Sequence, residues 1–303
     1  MKVFVTGATG VLGRRVVATL VERGDDVIGL ARSDANTVAL RAVGATPCAG
    51  DLFDADSLMA ATAGADAVLH LATKIPRAAR GWRAKAWREN DRIRDTATPL
   101  LVDAALANGA STFVFPSITF GYQDCGDRWI DESVPYGDDS PVLAATVAAE
   151  RETARFAGAG ARGVVLRMAM FVGPDASTTA DARRGARLGR GPCFGPPEGY
   201  ISTIWLDDAA AAVVSALTAP SGTYNVAVDE PQTRGECCAA VAAALGRSRL
   251  KPMPAYAVSR IGAGYLARSQ RIANAAFKAA TGWTPQIGSS GEAWRLAVER
   301  TRR

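Results

Sequence analysis

Thr6-Gly7-Ala8-Thr9-Gly10-Val11-Leu12-Gly13 lies between an apolar run, Val3-Phe4-Val5, and a helix-like run, Val16-Val17-Ala18-Thr19-Leu20-Val21. A glycine-rich turn between a strand and a helix is built to hold phosphate. Glycine has no Cβ and tolerates positive φ, so backbone N–H groups can approach a pyrophosphate closely. The start of the helix adds partial positive charge and unpaired donors. The strand before and the helix after supply the context that a dinucleotide fingerprint requires. Gly7, Thr9, Gly10, Val11, Leu12 and Gly13 are therefore the first candidate cofactor contacts.

Outward from this turn the first half of the chain alternates apolar runs with helical stretches. Candidate strands are 2–6, 26–30, 45–48, 67–71, 112–116 and 163–168; candidate helices lie near 12–23, 35–43, 55–62, 84–108 and 143–157. Such alternation predicts an α/β fold with a doubly wound parallel sheet whose carboxyl edge binds ligand. The second half is less regular. Residues 185–199 are rich in glycine and proline and read as a loop or lid. Strand-like runs follow at 201–208 and 223–228, with helices at 207–217 and 234–245, and a small helical cap from Lys251 onward. The expected division is 1–173 as the dinucleotide-binding domain, with 200–228 returning to it, and 174–199 with 229–303 as a smaller, mostly helical C-terminal substrate domain.

Composition narrows the function classes. Of 303 residues, 48% are hydrophobic and 21% charged, which suits a globular protein with a sizeable core. No run of 18 or more apolar residues is present, so no membrane span is expected. Met1-Lys2-Val3-Phe4 runs straight into the first strand and leaves no room for a signal peptide. The five cysteines, Cys48, Cys125, Cys193, Cys237 and Cys238, lack zinc spacing and read as free thiols in a reducing, cytoplasmic setting, so no metal site is expected. The net charge of +5 comes mainly from arginine, without a basic arm or finger motif for nucleic acid; an anionic cofactor or substrate accounts for it more simply.

The residue ending the second strand chooses between the nicotinamide cofactors. A carboxylate there bonds the ribose 2′-OH and repels a 2′-phosphate. Here the chain reads Gly29-Leu30-Ala31-Arg32-Ser33, so charge and hydroxyl replace the acid. Guanidinium pairs bidentately with phosphate, and the expectation is NADP(H), with Arg14 in reach from the facing side; the plainer alternative is a pair of solvated arginines. Asp51 and Leu52, after the third strand, are placed against adenine; Leu71, Ala72 and Thr73, after the fourth, line the cofactor. His70, the only histidine, lies inside an apolar strand and reads as a packed or structurally bonded imidazole. Lys74 and Arg77 open a basic stretch and are candidates to hold an anionic group on a small-molecule substrate; the later part of that stretch, with Glu89, Asp91 and Asp95 interleaved, reads as a solvated helix face.

Together these pieces resemble the short-chain dehydrogenase/reductase superfamily, in its extended or atypical branch of NAD-dependent epimerase/dehydratase-like proteins. The resemblance rests on residues 6–13, Gly50-Asp51-Leu52, Leu69-His70-Leu71-Ala72, the run from Leu166 to Pro174, Trp205-Leu206-Asp207-Asp208-Ala209-Ala210 and Gly222-Thr223-Tyr224-Asn225-Val226, in order along nearly the whole chain. It implies a Rossmann cofactor domain, a smaller substrate domain, a catalytic Ser or Thr after the fifth strand, and a Tyr-x-x-x-Lys pair opening the next helix. Residues four apart share a helix face, so the ammonium can lower the phenol's pKa and hold the ribose while the phenol moves a proton.

That pair is missing. No tyrosine is followed by lysine four residues later, and no lysine lies between Lys85 and Lys251. Taking Glu150 as the glutamate that family members carry four residues after the lysine puts Thr146 at the lysine position and Val142 at the tyrosine position. Ser117 and Thr119, at the end of the fifth strand, remain candidates to bond a substrate oxygen, and Tyr122 is a candidate replacement phenol or a half-buried loop aromatic; Tyr136 reads as a turn residue. The leading functional expectation is an NADP(H)-dependent oxidoreductase acting on a small carbonyl or imine. The alternatives are an epimerase, dehydratase or isomerase without net redox change, and a non-catalytic NADP(H)-sensing protein. The alanine-rich helices at 84–108 and 143–157, through which relatives often pair, permit a homodimer without requiring one.

Overall fold

The computed structural model describes residues 1–76, 84–137, 143–260 and 263–301. Arg77 and Val142 lie outside them. The strands are β1 (Lys2–Thr6), β2 (Asp26–Ala31), β3 (Thr46–Ala49), β4 (Ala67–His70), β5 (Thr112–Ile118), β6 (Trp129–Ile130), β7 (Arg162–Met168), β8 (Met170–Val172), β9 (Arg190–Phe194), β10 (Tyr200–Ile201), β11 (Thr203–Trp205), β12 (Gly222–Val226), β13 (Gln232–Thr233), β14 (Lys251–Met253) and β15 (Arg271–Ile272). The α-helices are α1 (Gly13–Glu22), α2 (Asp34–Ala42), α3 (Ala55–Ala61), α4 (Ala84–Arg92), α5 (Thr98–Ala107), α6 (Ala144–Gly158), α7 (Ser177–Arg187), α8 (Leu206–Ala216), α9 (Arg234–Ala244), α10 (Tyr256–Ser259), α11 (Ala275–Thr281) and α12 (Ser290–Arg300).

Seven strands form one sheet in the order β12-β7-β5-β4-β1-β2-β3, all parallel. The chain winds outward one way through β1, β2 and β3 and the other way from β4, so the switch point lies between β1 and β4. In such sheets the crevice at the carboxyl ends of those two strands is where ligands sit. Alternate side chains of each strand feed opposite faces. Val3, Val5, Val164 and Leu166 pack toward Val16, Val17 and Leu20 of α1 and Val213 of α8. Phe4, Val68, Phe113 and Phe115 pack on the other side with Leu58, Leu101, Val102 and Phe156. A third cluster joins Cys193 on β9, Cys237, Cys238 and Val241 on α9, and Trp294 and Val298 on α12. Several helices start on the caps that their sequences provide: Ser33 accepts from the Asn36 N–H, Asp54 caps α3, and Thr233 with Glu236 forms a reciprocal box at α9.

The expected strand at 201–208 is two short strands, β10 and β11, followed by α8 from Leu206, and two longer stretches depart further from the expectation. The long helix at 84–108 is broken by a π turn, Ile93–Ala97, before α5. Pro99 lies in the first turn of α5 and has no N–H to donate backward, which ends the regular ladder there. The expected lid at 185–199 is ordered structure: it finishes α7, turns at Gly189 with φ +69°, and enters β9, which pairs in parallel with β14. The partner of β9 lies far downstream, so nothing local to 185–199 announced a strand.

The glycine turn is tight enough to exclude side chains. A Cβ on Gly13 would lie 2.1 Å from the Gly7 carbonyl oxygen, and one on Gly7, at φ +68°, would lie 2.6 Å from the backbone at Leu71 and Ala72. Gly13→Ala should therefore cost about 1–3 kcal/mol of unfolding free energy through forced backbone displacement. Gly158→Ala, where no atom lies within 4 Å of the added methyl, should be neutral or slightly stabilising. Chemical denaturation of the two variants checks the contrast; equal stability would refute the close approach.

Candidate active site

The carboxyl ends of the central strands bring most of the sequence-predicted residues to one edge. Gly7 to Gly13 connect β1 to α1, with the Gly10 N–H bonded to the Gly7 carbonyl and the Arg14 N–H to Gly10. Leu12 gives α1 no side-chain cap, and its first turn holds no acid, so its leading N–H groups face the crevice without an anionic side chain of their own. Arg32 follows β2 and is exposed, with no ion pair among the described residues. Ser33 spends one lone pair capping α2, and its hydroxyl hydrogen remains free to donate. Arg14 is joined to Asp175 in an ion pair, and Arg15 to Asp175 and Asp207, so Arg14 faces a competing carboxylate that the sequence did not disclose. Asp51 closes its own turn by accepting the Phe53 N–H at 2.9 Å.

The segment after β4 is pinned from below. The Thr73 hydroxyl donates to Asn90 Oδ1 at 2.8 Å, and the Lys74 N–H reaches the same atom at 3.3 Å. Asn90 is buried in α4 and went unnoticed in the sequence, where it is one polar residue in a polar helix. Lys74 is exposed; Arg77 lies outside the described residues. His70 is buried, its Nδ1 2.8 Å from the Thr6 hydroxyl, with the Phe113 and Phe115 rings beside it. It packs as a bonded core imidazole.

At the end of β5 the structure assembles a polar chain. Ser117, buried, donates to Glu150 Oε1 on α6 at 2.5 Å. Glu150 forms a salt bridge with Arg167 of β7 at 2.8 Å, each side chain only 10% exposed. Arg167 stands opposite Ser117 in the β5–β7 register. The phenol that meets Ser117 is Tyr136: its oxygen lies 3.3 Å from Ser117 Oγ and 2.6 Å from the Ile118 carbonyl, to which it donates. The Arg167 guanidinium lies 3.6 Å from the Tyr136 ring centroid, a cation–π contact. Burial first, and the Glu150 carboxylate second, push the Tyr136 phenol well above the ordinary tyrosine range, against the pull of Ser117, Arg167 and Arg94. The guanidinium of Arg167 is itself held charged: burial opposes this, and the hydrogen bond and charge of Glu150 outweigh burial.

Tyr122 takes a different place from the one its sequence position suggested. It is fully buried, donates to Asn225 Oδ1 at 2.8 Å and accepts from Arg167 at 2.9 Å, so both functions of its hydroxyl are occupied. Tyr136 does sit in a turn, bridged in the backbone to Tyr122, yet its side chain returns to Ser117. Thr119 is buried in the short 3₁₀ turn after β5, whose carbonyls at Thr119 and Tyr122 both accept from Gln270. Trp205 is core, with its indole N–H on Asp207, and Arg268 donates to the Tyr122 carbonyl. No group of three or more metal-ligating side chains is present among the described residues.

The NAD dependent epimerase/dehydratase family model matches residues 3–227. The chain belongs to that family. Membership carries a nicotinamide dinucleotide and oxidoreductase-type chemistry, and the crevice fits the cofactor, since α1 begins there with no side-chain cap and no acid in its first turn. Among curated relatives, the chain is 31% identical over 312 residues to a 3-diazoavenalumate denitrifying reductase of a Streptomyces species, covering 99% of this chain and 100% of the relative. It is 29% identical over 280 residues to a 2-alkyl-3-oxoalkanoate reductase of Stenotrophomonas maltophilia, covering 87% and 82%. Among solved structures, the human epimerase family protein SDR39U1, determined with NADPH, superposes with a TM-score of 0.82 at 25% identity over 99% of both chains. No helix among the described residues is long and apolar enough to cross a membrane.

The single histidine gives the family fold an acid-sensitive element. Burial, with the nearby Arg94 charge adding to it, lowers the His70 pKa from 6.5 to about 4. The unfolded chain therefore binds a proton at higher pH than the native one, and stability falls as pH drops from the unfolded value toward the native value. Between about pH 7 and about pH 5 this group alone should remove about 2 kcal/mol. Urea denaturation of the wild type and of His70→Asn at the two pH values checks it: the variant should lose that share of the acid dependence. An identical pH slope in both would show that His70 titrates normally.

Proposed function

We propose that this protein is an NADP(H)-dependent reductase of a small carbonyl or imine compound, with Tyr136 as its proton donor. The observation that carries the reading is the Ser117–Tyr136 contact at the carboxyl end of β5, on the same sheet edge as the glycine turn. The reductase names of two full-length or nearly full-length relatives, and the NADPH in the human neighbour, support it. Arg32, exposed after β2 and without an ion-pair partner among the described residues, supports the phosphorylated cofactor over NAD(H).

Bound dihydronicotinamide supplies the hydride in such a reaction. This chain's own residues handle the proton and the orientation. The Ser117 hydroxyl donates to Glu150 and the Tyr136 hydroxyl to the Ile118 carbonyl; on this reading the phenol turns from that carbonyl to donate to a substrate oxygen. A phenol held protonated suits the reductive direction, in which the developing alkoxide needs an acid. Ser117 donates to Glu150, which is paired with Arg167, and this holds the serine beside Tyr136. Lys74 and Arg77 are the cations proposed for an anionic group on the substrate, such as the carboxylate of a 3-oxo acid.

Oxidation of NADPH, followed by absorbance against a panel of 3-oxo acids, aldehydes and imines, is the direct test. Tyr136→Phe should lower kcat by about 10²–10⁴-fold. Tyr122→Phe should instead lower stability, by about 1–3 kcal/mol, because it leaves buried groups of Asn225 and Arg167 short of a partner. Full turnover in the Tyr136 variant would overturn the assignment. Separately, Arg32→Asp should weaken NADPH binding by about 10- to 100-fold relative to NADH, the range of a hydrogen bond to a charged group; unchanged preference would remove Arg32 from the phosphate site.

A further inference from the structure

Arg94 is a buried cation that the residues so far described leave without employment. It lies in the π turn Ile93–Ala97, and π turns are rare and collect at functional positions. Its side chain is only 7% exposed, and its Nη1 donates to the Thr146 hydroxyl on α6. Among the described residues no carboxylate lies within ion-pair distance of it: Glu150 is taken by Arg167. A guanidinium taken out of water without a paired anion loses far more hydration than one hydroxyl returns.

The helix geometry says which way this cation faces. Glu150 reaches Ser117, and Thr146, itself fully buried, lies one turn earlier on the same face of α6, so Arg94 meets that helix one turn from the Ser117–Glu150 contact. Thr146 is also the position at which the Tyr-x-x-x-Lys pattern would place its lysine. Arg94 comes to it from a neighbouring helix. The groups whose charge acts on Arg94 are Tyr136, Asp91, Glu150 and Tyr265. The phenol proposed as acid thus has a guanidinium nearby as well as the Arg167 cation over its ring face.

We propose that Arg94 replaces the absent lysine from outside α6: its guanidinium, steadied by Thr146, donates to the hydroxyls of the ribose next to the nicotinamide and stands as the cation beside Tyr136. This rests on the dinucleotide reading above. It differs from an ammonium in kind, because a planar fork can span two vicinal hydroxyls at once while its hydrogen bond to Thr146 fixes its plane.

Two probes separate this from a structural role. NADPH contains the nicotinamide ribose; adenosine 2′,5′-bisphosphate contains the adenosine and its 2′-phosphate and lacks that ribose. Calorimetric titration of the full-length Arg94→Met protein should show NADPH weakened by about 10- to 100-fold and the bisphosphate unchanged within about twofold. Adding Thr146→Lys to Arg94→Met should recover most of the NADPH affinity by returning a cation to the same spot. Arg94→Gln, which keeps a polar partner for Thr146, is the second variant should the methionine protein fail to fold; it should show the same selective loss. Equal loss of both probes, unchanged NADPH binding, or no recovery in the double variant would overturn the proposal. A wild-type protein that binds neither probe would instead overturn the cofactor reading on which it rests.

Discussion

The Glu150–Arg167 ion pair is the interaction around which the site is built. Both side chains are almost withdrawn from water, where separating them from solvent costs several kcal/mol per ion by general estimates. Such a pair is tolerable only when geometry and further hydrogen bonds use the remaining valences. Here they do. Glu150 accepts from Ser117 as well as from two nitrogens of Arg167, and Arg167 donates to Tyr122 while its plane covers the Tyr136 ring. One pair thereby ties α6 to β7 and fixes the positions of a serine on β5 and two tyrosines beyond it. Removing either charge would strand the other and loosen the neighbours it holds among these three, so the pair's value lies in orientation more than in net stabilisation.

Much of the fold was legible because the signals were local. A strand, a glycine turn and a helix in sequence specify a βα unit, and buried parallel strands read as unbroken apolar runs such as Val3-Phe4-Val5 and Phe113-Val114-Phe115. The helix caps at Ser33, Asp54, Thr233 and Ser289 are likewise written within a few residues of the helices they start. The strand at 190–194 was not legible. Its glycines are real turn positions, at Gly189 and Gly195, but whether the segment between them pairs depends on Lys251–Met253, which local pattern cannot reach. The π turn was hidden for a similar reason: the alanine-rich run around it is compatible with a continuous helix, and only Pro99 hinted at the interruption.

The site divides along the same line. Backbone-built parts, the glycine cradle and the strand ends, could be numbered from the sequence. Side-chain destinations could not. Tyr136 is correctly a turn residue by its backbone, and nothing in Val134-Pro135-Tyr136-Gly137 says that its ring folds back under Arg167 to Ser117. Tyr122, the phenol candidate in the sequence, is locked by Asn225, more than a hundred residues away. Asn90, Arg94 and Gln270 carry no local signature because each acts through a partner on another element.

A Tyr-x-x-x-Lys pair needs only helix periodicity to bring phenol and cation together, so its geometry survives almost any change elsewhere. On the reading proposed here, this chain distributes the same two functions over three elements: a phenol from the turn after β6, a guanidinium from the π turn, and a hydroxyl of α6 between them. Such a site depends on tertiary packing for its alignment, which is why a buried ion pair and a clamped 119–122 turn surround it. The arrangement also biases the chemistry. Nothing near Tyr136 overcomes the burial that keeps its proton on, so the phenol rests protonated and can give that proton only to a strongly basic oxygen such as a developing alkoxide. Abstracting a proton from an alcohol would require the reverse, a phenolate at rest. With Tyr136 as the proposed donor, a phenol protonated at rest fits the proposed reductive direction.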